Sequence, residues 1–289
     1  MKQAILILCG HEKDRLPFLI DQFDYRFNIY IHIDQKVDVS QTFIDCLTKR
    51  ETVKFVSQLY TTNWGGMNIV NAMLHLCKES LFDDSCSHFH LISGADFPVA
   101  SNDDICSRFK SEKDNHIVFF KLPSLVWKGG GLNRLQLFHP FDDIDIRTSE
   151  GQEKYLKFIN YQNLSGIRRQ ILNIPYYGGS MWWSLSRKYI EYLITNQNAY
   201  NLYASMQYTY APDEMFVQTL LLNSYLKPNL INNNLRYIVW RYKNGNCPAN
   251  LDMDDFEEIM KSNCIFMRKV DKECSWDLVK RIAEIRKSI

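Results

Sequence analysis

The chain lacks any run of 18 apolar residues, so no stretch reads as a membrane-spanning helix. The apolar run AILILC behind Lys2 is too short for a secretory signal and meets charge between His11 and Arg15. No CxxC pair occurs among the eight cysteines, at 9, 46, 77, 86, 106, 247, 264 and 274, which excludes the common zinc patterns. Nothing points to export, so free thiols in a cytoplasmic protein are expected. Excess charge is missing as well: 34 Lys and Arg against 33 Asp and Glu leave a formal net charge of +1. Nucleic-acid binding needs a basic excess, so no nucleic-acid partner is expected, and any anion site must be built from a few local cations. There is no internal repeat and no low-complexity linker. What remains is a globular composition, 46% hydrophobic and 23% charged over 289 residues, enough for one large α/β core.

Residues 4–9 read as a buried strand and LPFLIDQF as a short helix. FNIYIHID then alternates, with Phe27, Ile29, Ile31 and Ile33 on one face and Asn28, Tyr30, His32 and Asp34 on the other. Asp34 arrives near a carboxyl strand end, where open parallel sheets bind ligands. There it either accepts from a ribose or base, or starts a turn. Further strands are predicted at 53–56, 88–93 and 116–122, and helices behind Ser40, behind Asn63-Trp64-Gly65-Gly66 and behind Ser101. The alternation predicts a mostly parallel central sheet flanked by helices. Lys128-Gly-Gly-Gly131-Leu-Asn-Arg134 reads as a flexible loop with two cations; its likeness to a phosphate cradle is weak, because no GKS/T or GxGxxG context follows. Residues 152–173 look helical and polar. Gly178-Gly179-Ser180 allows close backbone approach ahead of Trp182 and Trp183. YIVW at 237–240 reads as a strand, CIFMRKVD puts Arg268 and Lys269 at a strand end, and 276–287 is an amphipathic helix.

The stretch YTYAPDEMFVQTLLLNS, residues 208–224, organises the rest. Pro212 fits a helix entry, Asp213 can cap it and Glu214 falls in the first turn. Phe216, Val217, Leu220 and Leu221 supply an apolar stripe that anchors the helix. The positive end of the helix dipole favours a charged Glu214, as a general base requires.

With these pieces in order, the chain resembles the glycosyltransferase family of core-2/I-branching N-acetylglucosaminyltransferases and peptide O-xylosyltransferases. The resemblance rests on YIHIDQK (30–36), Trp64-Gly65-Gly66, HLISGADFPV (90–99), KGGGLNRL (128–135), GGSMWWSLSR (178–187), APDEMFVQTLLLNS (211–224), NNLRYIVW (233–240) and FMRK (266–269). KGGGLNRL and NNLRYIVW look closer to the xylosyltransferase side. The resemblance implies a single GT-A-type domain, with 1–125 as the nucleotide-sugar-binding half and 126–289 as the acceptor-binding and catalytic half. It also implies inverting transfer from a UDP-sugar without a metal cofactor.

On that basis Asp34, with the backbone near His11, would hold uridine, and Arg268 and Lys269 would hold the diphosphate in place of a metal. Glu214 would be the base. Asp96, Lys128, Asn133, Arg134, Ser180, Trp182, Trp183 and Arg236 are the candidates for sugar and acceptor contacts, with Arg236 facing either phosphate or a carboxylate. Metal-dependent relatives hold their cation with an Asp-x-Asp pair, and the matching turn here carries only Asp96. Asp143/Asp145 and Asp252/Asp254 lie elsewhere and read as solvated loop charges. Asn133 stands where the xylosyltransferase pattern has Asp, which leaves the donor open between xylose and N-acetylglucosamine. A glycan or lipid-linked acceptor, met by peripheral contact at the cytoplasmic membrane face, is expected from a likeness to bacterial members. A catalytically silent UDP-sugar-binding module and a metal-dependent transferase are the competing readings.

Overall fold

The computed structural model describes residues 1–288. Its strands are β1 (Lys2–Cys9), β2 (Phe27–Ile33), β3 (Val53–Ser57), β4 (Cys86–Ser93), β5 (Asp96–Pro98), β6 (Asn115–Lys121), β7 (Tyr177–Ser186), β8 (Leu230–Ile231), β9 (Arg236–Ile238) and β10 (Phe266–Arg268). The main sheet has the order β3-β2-β1-β4-β7-β6-β8. Strands β3, β2, β1 and β4 run parallel, while β7 is antiparallel to both β4 and β6. A second sheet, β5-β10-β9, stands beside it.

Alternation builds two cores from one strand. Ala4 and Leu6 of β1 face one apolar cluster, with the helix Asn68–Leu81, Trp183 and the helix Phe216–Leu222. Ile5, Ile7 and Cys9 face the other, with Phe266, Leu278 and Ile282. The alternation of β2 does not separate core from solvent, because all seven of its residues are buried. It is an inner strand, covered on both faces as parallel sheets are. Each fully buried Ile or Leu contributes about 1.5–3 kcal/mol, so these central strands form a rigid floor under their carboxyl ends.

Ser40 and Ser101 cap the helices Gln41–Thr48 and Asn102–Arg108 as expected, accepting from Phe43 N and Asp104 N. The polar helix predicted at 152–173 is instead Ser149–Leu164, capped by Thr148. Gly166 follows at φ +67°, a backbone turn that stops the helix early. The GADFP turn continues into β5, and YIVW shortens to β9, because both pair with β10. All eight cysteines are free thiols. Among the described residues no helix is long and apolar enough to cross a membrane.

Candidate active site

The segment carrying Glu214 does not form the single helix start expected. Ala211 takes φ +50°, Pro212–Glu214 is a 3-10 turn, and Met215 at φ −135° separates it from the helix Phe216–Leu222. Asp213 makes no capping bond, and Glu214 precedes the helix rather than lying in its first turn. The bend is fixed from outside: Ala211 N donates to Gly65 O at 2.9 Å, and Met215 and Phe216 are buried.

Arg134 Nη1 donates to Glu214 Oε2 at 2.8 Å, with the two side chains 17% and 33% exposed. The guanidinium lies 3.7 Å from the Trp127 ring and 4.8 Å from the Tyr210 ring. Such cation–π contacts fix a guanidinium in place. Arg134 is therefore spent on Glu214 rather than free for sugar hydroxyls. Glu214 Oε1 accepts no protein hydrogen bond among the described residues. The glycines seat this assembly. A Cβ on Gly131 (φ +83°) would meet Trp127 Cε3 at 2.5 Å, and one on Gly178 would meet Trp127 Cη2 at 2.4 Å. The triple glycine thus receives an indole instead of a phosphate. Its surroundings are an ordered turn and the short helix Asn133–Gln136, not a flexible loop. Lys128 and Asn133 are exposed on this segment.

Two residues outside the predicted site set shape this wall. Asp213 is buried, and its Oδ1 has no partner. Burial pushes its carboxyl up to about 7, with the Glu214 charge adding to the shift. Burial thus favours the protonated form of Asp213 more than an exposed carboxyl would allow. The signal was the Asp-Glu adjacency itself. Asp142 accepts from Met67 N at 3.1 Å and Asn68 N at 3.0 Å, so a distant loop caps the helix Asn68–Leu81. A Cβ on Gly66 would meet Asp142 Oδ1 at 2.3 Å, which explains that glycine. Asp142 stands one residue before the Asp143/Asp145 pattern that draws the eye in the sequence.

The other half of the site is set by register. Asp96 of β5 lies opposite Arg268 of β10 in the antiparallel pair. Arg268 Nη1 donates to Asp96 Oδ2 at 3.0 Å and to Ser93 Oγ at 3.1 Å, and Ser93 Oγ donates to Asp96 at 2.6 Å. The ion pair is 10% and 1% exposed. The guanidinium stacks 4.3 Å from the Trp182 ring. Trp182 is 9% exposed and Trp183 is wholly buried, so neither tryptophan offers the sugar contact expected: one ring is covered by Arg268 and the other is core. Asp96 likewise has its carboxylate committed to Arg268 and Ser93.

Lys269 follows at the strand end, half-buried, with no carboxylate within 4 Å among the described residues. Burial lowers its proton affinity, and the charges of Arg268 and Arg147 lower it further.

The remaining candidates divide. Asp34 accepts from Lys36 N at 3.0 Å, Thr62 N at 3.3 Å and Thr62 Oγ1 at 2.8 Å, so it closes the turn behind β2 against 60–62. His11 is exposed in the turn behind β1. Ser180 Oγ receives Asn234 Nδ2 at 3.1 Å. Arg236 faces neither phosphate nor carboxylate. It is buried and donates to Ser184 Oγ, Leu91 O and Trp183 O at 2.9, 3.0 and 2.8 Å, clamping the two sheets together. The Asp pairs are also occupied: Asp252 caps the turn Met253–Asp255 and pairs with Lys243 at 2.7 Å, and Asp145 lies 3.7 Å from Lys36. Asp252 is thus a structural cap rather than a solvated charge.

A mostly parallel sheet with one reversed strand, and a small second sheet beside it, is the GT-A-type fold. The chain belongs to the Core-2/I-Branching enzyme family, whose pattern matches residues 11–262. It is 25% identical to xylosyltransferase 1 of Rattus norvegicus over 247 residues, 83% of this chain and 28% of that protein. It is 26% identical to xylosyltransferase 2 of Homo sapiens over 224 residues, 75% of this chain and 24% of that protein. The chain thus spans about a quarter of the length of the curated relatives it matches. Among solved structures it is similar to the glycosyltransferase GlyE of Streptococcus pneumoniae (TM-score 0.46, 7% identity, 98% of this chain and 60% of that one). It is also similar to the galactosyltransferase LgtC (TM-score 0.44, 10% identity, 99% of this chain and 96% of that one).

Proposed function

We propose that this chain is an inverting glycosyltransferase that uses a UDP-sugar and needs no metal, with Glu214 as general base. The observation that carries the reading is the Glu214 carboxylate, one oxygen held by Arg134 at 2.8 Å and the other open on a side chain one third exposed. The open oxygen takes the proton of an acceptor hydroxyl as that oxygen bonds to the anomeric carbon. The bond from the anomeric carbon to the phosphate oxygen breaks, and UDP leaves with the electron pair from the opposite face. Charge growing on the diphosphate is met by Lys269 and the outer edge of Arg268. Metal independence is supported by Asp96, whose carboxylate is already neutralised by an arginine. The acceptor is a glycan or lipid-linked saccharide, met peripherally at the cytoplasmic membrane face. The donor is UDP-xylose or UDP-N-acetylglucosamine; similarity to proteins named xylosyltransferase supports the first, and Asn133 leaves the second in place.

The test is turnover of both UDP-sugars in EDTA, by wild type and by Glu214→Gln. The reading expects UDP release from at least one donor, lost in the variant. Release that requires Mn²⁺ contradicts metal independence. Tight UDP-sugar binding without any release contradicts the enzyme reading and favours a silent binding module.

A further inference from the structure

Two aliphatic side chains stand out in solvent close to the proposed base. Leu125 and Val126 are exposed to 105% and 68% of their reference areas, at the tip of the turn that leads from β6 to Trp127. The turn is held in place. Ser124 N donates to Gly130 O at 3.1 Å, Gly130 N donates to Trp127 O at 2.9 Å, and Val126 N donates to Ser124 Oγ at 3.2 Å. A Cβ on Gly130 would meet Pro123 Cβ at 2.9 Å, so the two legs of the turn lie against each other. Beneath the tip, the Trp127 ring stands edge-on to Phe120 with centres 5.0 Å apart and carries the Arg134 guanidinium at 3.7 Å. Arg134 in turn holds Glu214 at 2.8 Å. The tip and the candidate base therefore belong to one packed assembly, in which Trp127 supplies the anchor and Leu125 and Val126 supply none.

Charge around the tip has one sign. Lys121 ends β6 on the entering leg and Lys128 stands on the leaving leg, both exposed. Among the described residues neither ammonium lies within 4.0 Å of a carboxylate. No Asp or Glu occurs from 115 to 141, although the chain as a whole is balanced at +1. Leu156 and Leu164, exposed on the helix Ser149–Leu164, lack this setting, because Glu150 and Glu153 pair with Lys154 and Lys157 there. An aliphatic tip between unpaired ammonium groups matches the boundary of an anionic bilayer, where acyl chains take the tip and headgroups take the cations. Sugars need aromatic faces and hydrogen-bonding groups, and neither side chain offers them.

We propose that Leu125 and Val126 form a wedge that enters an anionic lipid bilayer, with Lys121 and Lys128 on its headgroups. The wedge sets Glu214 at the membrane surface through Trp127 and Arg134. The inference deepens the reading of an acceptor met at a membrane face and rests on that reading for its purpose. Because both side chains stand in solvent, replacing them leaves the fold intact.

The experiment is co-sedimentation of the full chain with vesicles of phosphatidylcholine alone and of phosphatidylcholine and phosphatidylglycerol in equal parts. Wild type is compared with Leu125→Ser/Val126→Ser, with Lys121→Gln/Lys128→Gln and, as a control, with Leu156→Ser/Leu164→Ser. Wild type should bind the anionic vesicles and release them as salt rises. Leu125→Ser/Val126→Ser should weaken that binding about tenfold or more, with an unchanged urea midpoint, and each lysine replaced should weaken it about fivefold. The control pair should bind as wild type does. Binding kept by Leu125→Ser/Val126→Ser, or lost equally in the control pair, overturns the wedge. Wild type that ignores both vesicles also overturns it, and if that protein still releases UDP from a UDP-sugar, the transferase reading stands without the wedge. Binding through the tip with no UDP release keeps the wedge and ends the transferase reading. If the tip substitutions turn a wild-type dimer into a monomer and leave vesicle binding alone, a second copy covers the tip and the bilayer inference falls.

Discussion

The molecule builds the same device twice, a carboxylate paired with an arginine that stacks on a tryptophan, and uses it for opposite ends. At Asp96–Arg268–Trp182 the pair is 1% and 10% exposed, and the carboxylate is also bonded to Ser93. At Glu214–Arg134–Trp127 the carboxylate is 33% exposed and keeps one oxygen open. The first pair is saturated and holds β5 against β10. The second is half-finished, which is what the proposed role of Glu214 as a base requires. Chemistry alone does not distinguish them; burial and unspent acceptor capacity do.

The comparison breaks most visibly if the two carboxylates are exchanged in role. Glu214→Gln should lower transfer by roughly 10²–10⁴-fold, the usual weight of a positioned base. Its unfolding free energy should stay within about 1 kcal/mol of wild type, as for a partly exposed pair. Asp96→Asn should do the reverse, losing about 3–5 kcal/mol of stability because it strands a buried guanidinium. Denaturant titration read beside UDP release separates the two, and equal loss of stability in both variants would end the distinction.

Arg134→Ala comes next. It should lower turnover by roughly tenfold or more, as for loss of one charged hydrogen bond, while UDP affinity measured by calorimetry is unchanged. Weakened UDP binding would move Arg134 to the donor side.

Asp213 sharpens the picture through pH. Its carboxyl lies near 7 in the folded chain against 3.8 ordinarily. A raised carboxyl contributes stability below its unfolded value and loses it as pH rises through the folded one. Asp213→Asn should therefore gain on wild type between about pH 4 and pH 7 as pH rises, and keep the advantage above. Neutral histidines act in the opposite direction. Burial takes His32, His116 and His139 down to about 4 from 6.5, so they remove stability as pH falls from 6.5 toward 4. The difference between Asp213→Asn and wild type, followed by denaturation from pH 8 to pH 5, isolates the carboxyl. A difference constant with pH would contradict the buried-acid assignment. The smallest effect is Gly66→Ala, expected to cost about 0.5–2 kcal/mol by displacing the Asp142 cap, and to leave UDP binding untouched.

Much of this was legible in the chain. Strand periodicity located β1 to β4 and β6, and the residues for both halves of the site stood in recognisable order. What escaped was decided by distant partners. Arg134 and Glu214 are 80 residues apart, so nothing local showed that they pair. Trp182 read as a candidate sugar contact because its sequence neighbours could not reveal that Arg268 covers it. Asp34 looked like a ribose ligand until Thr62 supplied the bonds that occupy it. Gly66 was read as part of a helix entry and Gly131 as part of a flexible loop, while both positions make room for a side chain, a carboxylate at 66 and an indole at 131. Asp143 and Asp145 drew attention by pattern, while Asp142, outside the pattern, caps the helix.

The most direct measurement is a calorimetric titration of UDP in EDTA, on wild type and Lys269→Ala. Lys269 is the better probe than Arg268, whose removal would also strand buried Asp96. The account predicts binding by wild type without metal and about a tenfold or greater loss in the variant, as expected for one charged phosphate contact. Binding that appears only with Mn²⁺, or that is indifferent to Lys269, would contradict it.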